Sequence, residues 1–369
     1  MIRILQIVGT MDMGGIENFI MNVYRNIDCS KVQFDFLIHK ETKAIFEEEI
    51  IEKGGKIYKI PSISKIGHFK YRKNLKKFFQ EHQEYKIVHS HYNEISGIIL
   101  EIAKKSGIKY TIAHSHSANA RYNSILEKLY KKYSRSLINE NSDLALACSD
   151  IAGKWLYGNK KKFEIMENGI EVSKYIYSET ERKNIREEFG VKEEFIIASI
   201  ARFNKSKNHK LMINIMEKLE KIDPKIKLYL FGEGEEEKKI RELIKEKRIK
   251  NIEFKGVRKD IHRILNGLDL ILFPSFYEGL GIVAIEGQTN GLTVLCSENI
   301  PEEADLKLGL FEVFSLQENS EEWAKKILTI KNEGTRKKIE FEMVVNSRYN
   351  IKNVVNKLQN IYLKLGEKL

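Results

Sequence analysis

The sequence predicts an α/β protein of two domains, each a doubly wound parallel sheet with helices on both faces. Three observations carry this expectation. Strand-like apolar runs alternate with amphipathic helical runs along nearly the whole chain, the pattern of successive βα units. At 369 residues the chain is longer than one hydrophobic core usually organises. Two strand-turn-helix junctions that carry glycines, Gly14-Gly15 and Gly279-Leu280-Gly281, lie far apart in the chain.

Composition narrows the class. Hydrophobic residues make up 42%, ample for globular cores. Cys29, Cys148 and Cys296 are widely spaced and form no Cys-x-x-Cys, which suits a reducing compartment and excludes a structural zinc built on cysteine. The segment Met1 to Val8 reads as a strand rather than a signal peptide, and no apolar run approaches a membrane span. A cytoplasmic protein is expected. The net charge of +11 fits nucleic acid, an anionic membrane face or anionic substrates, with a lysine-rich composition as the plain alternative. No RNA-binding motif is present, and no nucleic-acid partner is expected.

Taken in order, the first strand turns at Gly9 to Glu17 into a helix continuing through Phe19, Ile20, Val23 and Tyr24. Gly14 and Gly15 let backbone approach a ligand at a helix N-terminus, but the full Gly-x-Gly-x-x-Gly is missing, which disfavours a dinucleotide site. A strand at 33–39, a helix at 44–53 and a strand at 56–60 follow as scaffold. Residues 65–79 hold six Lys or Arg, no acid and interleaved aromatics, a pattern suited to an anionic bilayer surface or to an ordinary solvated helix face. Two strands then end in His-x-His, placing His89, His91, His114 and His116 at the carboxyl ends of neighbouring strands, where open α/β sheets bind ligands. With no cysteine or paired carboxylate beside them, hydrogen-bonded histidines are preferred to metal ligands. A second basic aromatic stretch runs from Arg121 and Tyr122 to Arg135.

In the second half, a buried strand delivers Arg202, and Lys207 follows at the start of the next helix. Two fixed cations there can neutralise a departing diphosphate. Further strands end at Gly232-Glu233-Gly234 and at Val257-Arg258. The central stretch, residues 270–287, is a strand, a glycine turn and a helix, with Glu278 and Glu286 flanking an anion cradle at Gly279, Leu280 and Gly281. Eight helical positions separate these carboxylates by about 12 Å, beyond the roughly 5 to 9.5 Å of a glycosidase pair. They fit instead the two ends of one extended ligand with phosphates between, a nucleotide sugar.

Set after Pro274-Ser275, the Glu278-x7-Glu286 pattern resembles the signature of the retaining glycosyltransferases of family GT4, and the likeness covers nearly the whole chain. The resemblance implies the GT-B fold, two Rossmann-like domains facing across a cleft. It implies an N-terminal acceptor domain at 1–170, a nucleotide-sugar domain at 171–350, and a C-terminal helix at 351–369 crossing back to the first domain. Asn168-Gly169-Ile170 with Tyr175 resembles the family's domain-crossing segment. Carried over residue by residue, Glu278 holds donor-sugar hydroxyls, Glu286 the ribose, and Arg202 with Lys207 the diphosphate. Val257 and Arg258 meet the base, and Gly14, Gly15 and Gly232 line the phosphate side. His114, with His116 and His91 behind it, lies near sugar and acceptor. The implied reaction moves a sugar from a nucleotide donor, expected to be a UDP-sugar, to a hydroxyl of a glycan or lipid-linked acceptor in cell-surface polysaccharide synthesis. Configuration is retained and no metal or other cofactor is needed, with peripheral contact to the inner membrane face. The rivals are a GT-B sugar-nucleotide epimerase and a non-enzymatic basic protein binding nucleic acid or membrane.

Overall fold

A computed structural model describes residues 1–12, 14–117, 124–159 and 161–369; Arg121 and Tyr122 of the second basic stretch lie outside the described residues. The chain forms two compact units, one of Met1–Ile170 with Arg348–Leu369 and one of Glu171–Ser347.

The first unit holds a parallel sheet of β1 (Ile2–Val8), β2 (Val32–Ile38), β3 (Ile57–Lys59), β4 (Ile87–Ser90), β5 (Tyr110–Ser115), β6 (Leu144–Ala147) and β7 (Glu164–Ile165). Their spatial order is β3-β2-β1-β4-β5-β6-β7. The strands are mostly apolar because both faces are covered, with Arg3, Gln6, Gln33 and Asp35 as exceptions in β1 and β2. Ile4 and Ile87 pack into the layer beneath the helix Gly15–Asn26, whereas Leu5, Ile7 and Val88 pack into the layer beneath the helices His68–Glu81 and Ser96–Lys105. The C-terminal helix Ile351–Gly366 belongs to the first layer, where Val354, Val355, Leu358 and Tyr362 are buried. Outgoing and returning chain run side by side. The Ile170 N–H donates to Tyr349 O at 2.8 Å, and the Ile351 N–H donates to Ile170 O at 2.8 Å. Residues 348–350, placed by sequence with the nucleotide-sugar domain, therefore join the first unit.

The second unit holds β8 (Phe195–Ile200), β9 (Ile226–Phe231), β10 (Ile252–Gly256), β11 (Leu270–Phe273), β12 (Val294–Ser297) and β13 (Phe311–Phe314), again all parallel, in the order β10-β9-β8-β11-β12-β13. Trp323, fully buried on the helix Ser320–Glu333, anchors one layer with Ile213, Met216 and Leu230.

Each sheet reverses its winding direction once, between β1 and β4 and between β8 and β11. Strands on either side of such a point send their loops apart, and ligands of open α/β sheets bind in the crevice left there. Two local expectations change. The helix at 44–53 is confined to Glu47–Glu52. The basic segment at 65–79 is broken at Gly67, whose φ of +77° suits glycine, into helices Ile63–Ile66 and His68–Glu81.

Candidate active site

In the second unit the two loops of the reversal point are tied together. After β8 the chain passes Arg202, makes a short turn Lys205–Lys207, and enters the helix His209–Ile222 through Asn208 in left-handed conformation, φ +55°. After β11 it runs through Pro274 to Gly281, φ +87°, into the helix Ile282–Thr289. The Phe276 N–H donates to Ser206 O at 2.7 Å, fastening one loop to the other. On this frame Lys207 Nζ pairs with Glu278 Oε1, and the cation lies 5.3 Å from the centre of the Phe273 ring. Their side chains are only 17% and 13% exposed, so the pair is partly desolvated and worth more than a surface ion pair.

The helix Ile282–Thr289 begins four residues after Glu278 and has no side-chain cap, and Leu280 in the turn before it is buried. A Cβ on Gly281 would approach Phe273 to 3.0 Å. Gly232 and Gly234 are needed for another reason. Cβ atoms there would lie 2.1 Å from Ala201 O and 2.3 Å from Phe203 O, so the turn after β9 can press on the strand end that carries Arg202 only without side chains. Arg202 itself reaches outward, 77% exposed and 4.0 Å from Glu235. The structure thus joins Lys207 with Glu278 and leaves Arg202 apart from them.

One helical turn further, Glu286 accepts a hydrogen bond from the Tyr175 hydroxyl at 2.7 Å. Desolvation raises its pKa from 4.5 to about 7, the Tyr175 bond working the other way. Of the pair expected near a base, Val257 is exposed, whereas Arg258 is engaged with Asp260 at 2.7 Å and Glu188 at 2.8 Å.

In the first unit, Gly14 caps the helix Gly15–Asn26 in extended conformation. A Cβ on Gly14 would meet Glu17 Oε2 at 2.3 Å, while one on Gly15 would meet nothing within 4 Å. Beside this turn, at the ends of β4 and β5, all four histidines form one cluster. His89 and His114 stack at 5.3 Å between ring centroids and His114 and His116 at 4.0 Å, while His91 lies tilted to His116 at 5.1 Å. Phe19 stands edge-on to His114 at 5.4 Å. Burial pushes every one of these imidazoles down, His116 to about 3, so all four are neutral.

Neutrality assigns the hydrogens. His91 Nε2 donates to Gln6 Oε1 at 2.9 Å, so its Nδ1 accepts from His116 Nε2 at 2.8 Å. Gln6 Nε2 donates to the Tyr362 hydroxyl at 3.1 Å, which donates to His89 Nδ1 at 2.7 Å. Left over are His89 Nε2, His116 Nδ1 and both nitrogens of His114, buried and without a partner. His114 has no exposed surface, whereas His116 is partly exposed on the loop side. Gln6 and Tyr362 were not found by sequence reasoning. A glutamine inside the apolar run of β1 was a visible signal; Tyr362 on a terminal amphipathic helix offered none.

The two basic stretches also meet. His68 Nδ1 and the Tyr130 hydroxyl lie 2.5 Å apart, setting the start of the helix His68–Glu81 beside the helix Ile125–Asn141. Around that bond Phe69 is 88% exposed and Ile125 and Leu126 each 78%, with Leu129 and Tyr133 exposed on the same helical face. Lys70, Lys73, Lys128 and Lys132 are exposed alongside them. Arg72 is not part of this surface. It bonds Glu101 at 2.8 Å and holds two helices together.

Comparison with known proteins bears on the family and the fold. The family model for glycosyltransferase family 4 matches residues 13–174, and that for glycosyl transferases group 1 matches residues 181–342. EpsF of Bacillus subtilis, provisionally named a glycosyltransferase, is 30% identical over 98% of this chain and 96% of its own. The O-antigen biosynthesis glycosyltransferase WclY of Escherichia coli is 25% identical over 57% of this chain and 58% of its own. In fold, the chain is similar to the Anabaena protein HepE, solved with UDP-glucose, with a TM-score of 0.75 over the full length of both chains at 16% identity.

Proposed function

Because this chain belongs to the glycosyltransferases, with family 4 and group 1 halves, we propose that it transfers a sugar, with retention, from a UDP-sugar to a hydroxyl of a glycan or lipid-linked acceptor in cell-surface polysaccharide synthesis. The observation that carries this reading is the Lys207–Glu278 pair, its glutamate set four residues before a helix start that has no side-chain cap. A cation and a row of N–H groups suit a diphosphate, and a carboxylate next to them suits sugar hydroxyls. WclY, named for O-antigen biosynthesis, supports the polysaccharide setting, and HepE, solved with UDP-glucose, supports a UDP-sugar.

On this reading Lys207, with Arg202 swinging in from its exposed position, stabilises charge on the departing diphosphate. The diphosphate oxygen in turn takes the acceptor proton on the face it leaves. No side chain serves as a covalent nucleophile, and no metal is needed for this step. Glu286 with Tyr175 holds the ribose, and the turn at Gly279 to Gly281 holds the phosphates.

The test is a donor screen. UDP-sugars are expected to raise the melting temperature and to be slowly hydrolysed without acceptor, whereas ADP- and GDP-sugars at equal concentration are not. Indifference to all three would sink the assignment. Glu286 adds a pH signature. Its folded pKa lies above the ordinary 4.5, so the empty protein binds a proton more readily than the unfolded chain and loses stability as pH rises from about 4.5 to 7. Ribose hydroxyls need the ionised carboxylate as acceptor, so UDP affinity is expected to fall by up to about tenfold between pH 7 and 6. Glu286→Gln should flatten that slope. Calorimetric titration at both pH values reads it, and an identical slope in the variant would remove Glu286 from the ribose.

A lipid-linked acceptor calls for a membrane surface, and the apolar face of Phe69, Ile125, Leu126 and Leu129 framed by lysines fits the headgroup region of an anionic bilayer. Cosedimentation with anionic vesicles is expected at low salt, with release at high salt and none with neutral vesicles. Replacing Lys70, Lys73 and Lys76 with Ser should weaken it, and Leu126→Ser with Leu129→Ser should weaken what salt does not release, both sparing donor hydrolysis. Binding that survives both sets would place membrane contact elsewhere.

A further inference from the structure

Among the described residues, one group of side chains has the composition of a metal site and takes no bond-making or bond-breaking step in the transfer proposed above. One ring nitrogen from each of His89, His91 and His114 lies within 4.8 Å of the others, all three residues being buried. Four ring nitrogens of the cluster have no hydrogen-bond partner: His89 Nε2, both of His114, and His116 Nδ1. Leaving one buried polar group unpaired costs about 1 to 3 kcal/mol, so four in one place is an arrangement that a bound species would relieve.

We propose that His89, His91 and His114 bind a transition-metal cation of the zinc type, with His116 beside the fourth position. Three imidazoles and no thiolate or carboxylate suit zinc, cobalt, nickel or copper and not magnesium or calcium. Two nitrogens on one zinc ion at about 2.0 to 2.1 Å sit roughly 3.4 Å apart, so the rings close inward by less than about 1 Å each. The partners outside the cluster are those a metal-binding histidine needs. Gln6 Oε1 takes the Nε2 hydrogen of His91 and leaves its Nδ1 for the ion once His116 turns away. The Tyr362 oxygen takes an Nδ1 hydrogen from His89 when that ring changes tautomer, freeing Nε2. His114 ligates through either nitrogen. Three neutral ligands leave the ion's charge uncompensated in a buried setting, which favours hydroxide or an anionic ligand oxygen in the fourth position. The site is independent of the donor chemistry and stands whether or not the protein uses a UDP-sugar.

The experiment uses the full chain without a histidine tag, stripped with chelator, loaded with ZnCl₂ or CoCl₂, and desalted. About one ion per chain is expected by elemental analysis, and cobalt should give the intense visible bands of four-coordinate nitrogen ligation rather than the weak ones of six-coordinate cobalt. His89→Gln and His114→Gln should each weaken zinc at least 100-fold, and Tyr362→Phe by about 10- to 100-fold. Retention well below one ion, a weak six-coordinate cobalt spectrum, or unchanged affinity in both histidine variants would each overturn the site. Should the variants not fold, the wild-type cobalt spectrum decides alone.

Discussion

Lys207→Ala is expected to lower sugar transfer by roughly 100- to 1,000-fold while leaving the circular dichroism spectrum unchanged. The cation is positioned by three things at once: the backbone bond from Phe276 to Ser206, the Phe273 ring beneath it, and Glu278. Removing it takes away the group opposite the growing diphosphate charge and also unpairs Glu278. Arg202, exposed at 77%, is more loosely held, and Arg202→Ala should cost about 100-fold. The pair can be separated from its members by a cycle. If Lys207 and Glu278 act as one unit, the double alanine variant should be little worse than the poorer single variant. Steady-state rates with saturating acceptor measure this, and wild-type turnover in Lys207→Ala would move the leaving group away from this loop.

Gly97→Ala is expected to destabilise the protein by about 3 kcal/mol or more, a large effect for one methyl group. Gly97 opens the helix Ser96–Lys105 where it crosses the helix Ile125–Asn141, and a Cβ there would lie 1.7 Å from Ser134 O. A carbonyl oxygen fixed in a helix cannot rotate out of the way. Ser134 is also held by its own side chain, whose Oγ donates to Glu94 O at 2.6 Å. The helices must separate, carrying with them the face that bears Leu126 and Leu129. Chemical denaturation followed by a first-unit probe reads the loss, and a change below about 0.5 kcal/mol would show that the crossing is loose.

Much of the fold is legible in sequence because parallel strands covered on both faces must read as largely apolar runs. β8 and β11 stand out as such runs, whereas β2 is wholly buried although Gln33 and Asp35 interrupt it. β7, two residues long with one exposed, carries no such mark, and its place at the sheet edge is set by pairing with β6. The break at Gly67 was hidden because lysines and aromatics continue across it. The glycines and charged residues of the second unit were found because they cluster after strand ends. That Lys207 meets Glu278 and Arg202 does not could not be read, since the pairing joins residues far apart in sequence through two loops whose directions depend on the sheet's reversal. The histidines were visible as His-x-His, but their partners were not. Hydrogen bonding from Gln6 and Tyr362 depends on a helix from the end of the chain returning to β1 and β4.

That return has a consequence for synthesis. The second unit is one continuous segment, whereas the core of the first includes Ile351, Val354, Val355, Leu358 and Tyr362. A nascent chain that has emerged as far as Ile170 therefore still lacks one wall of its first core. At about 5 to 20 residues per second it waits on the order of 10 to 40 s while the intervening segment is made. During that interval Phe34, whose ring meets Tyr362 edge-on in the finished protein, and neighbouring apolar groups face solvent or a chaperone. Folding then runs against the order of translation: the part made second is free to finish first, and the part made first closes only when the final helix leaves the ribosome.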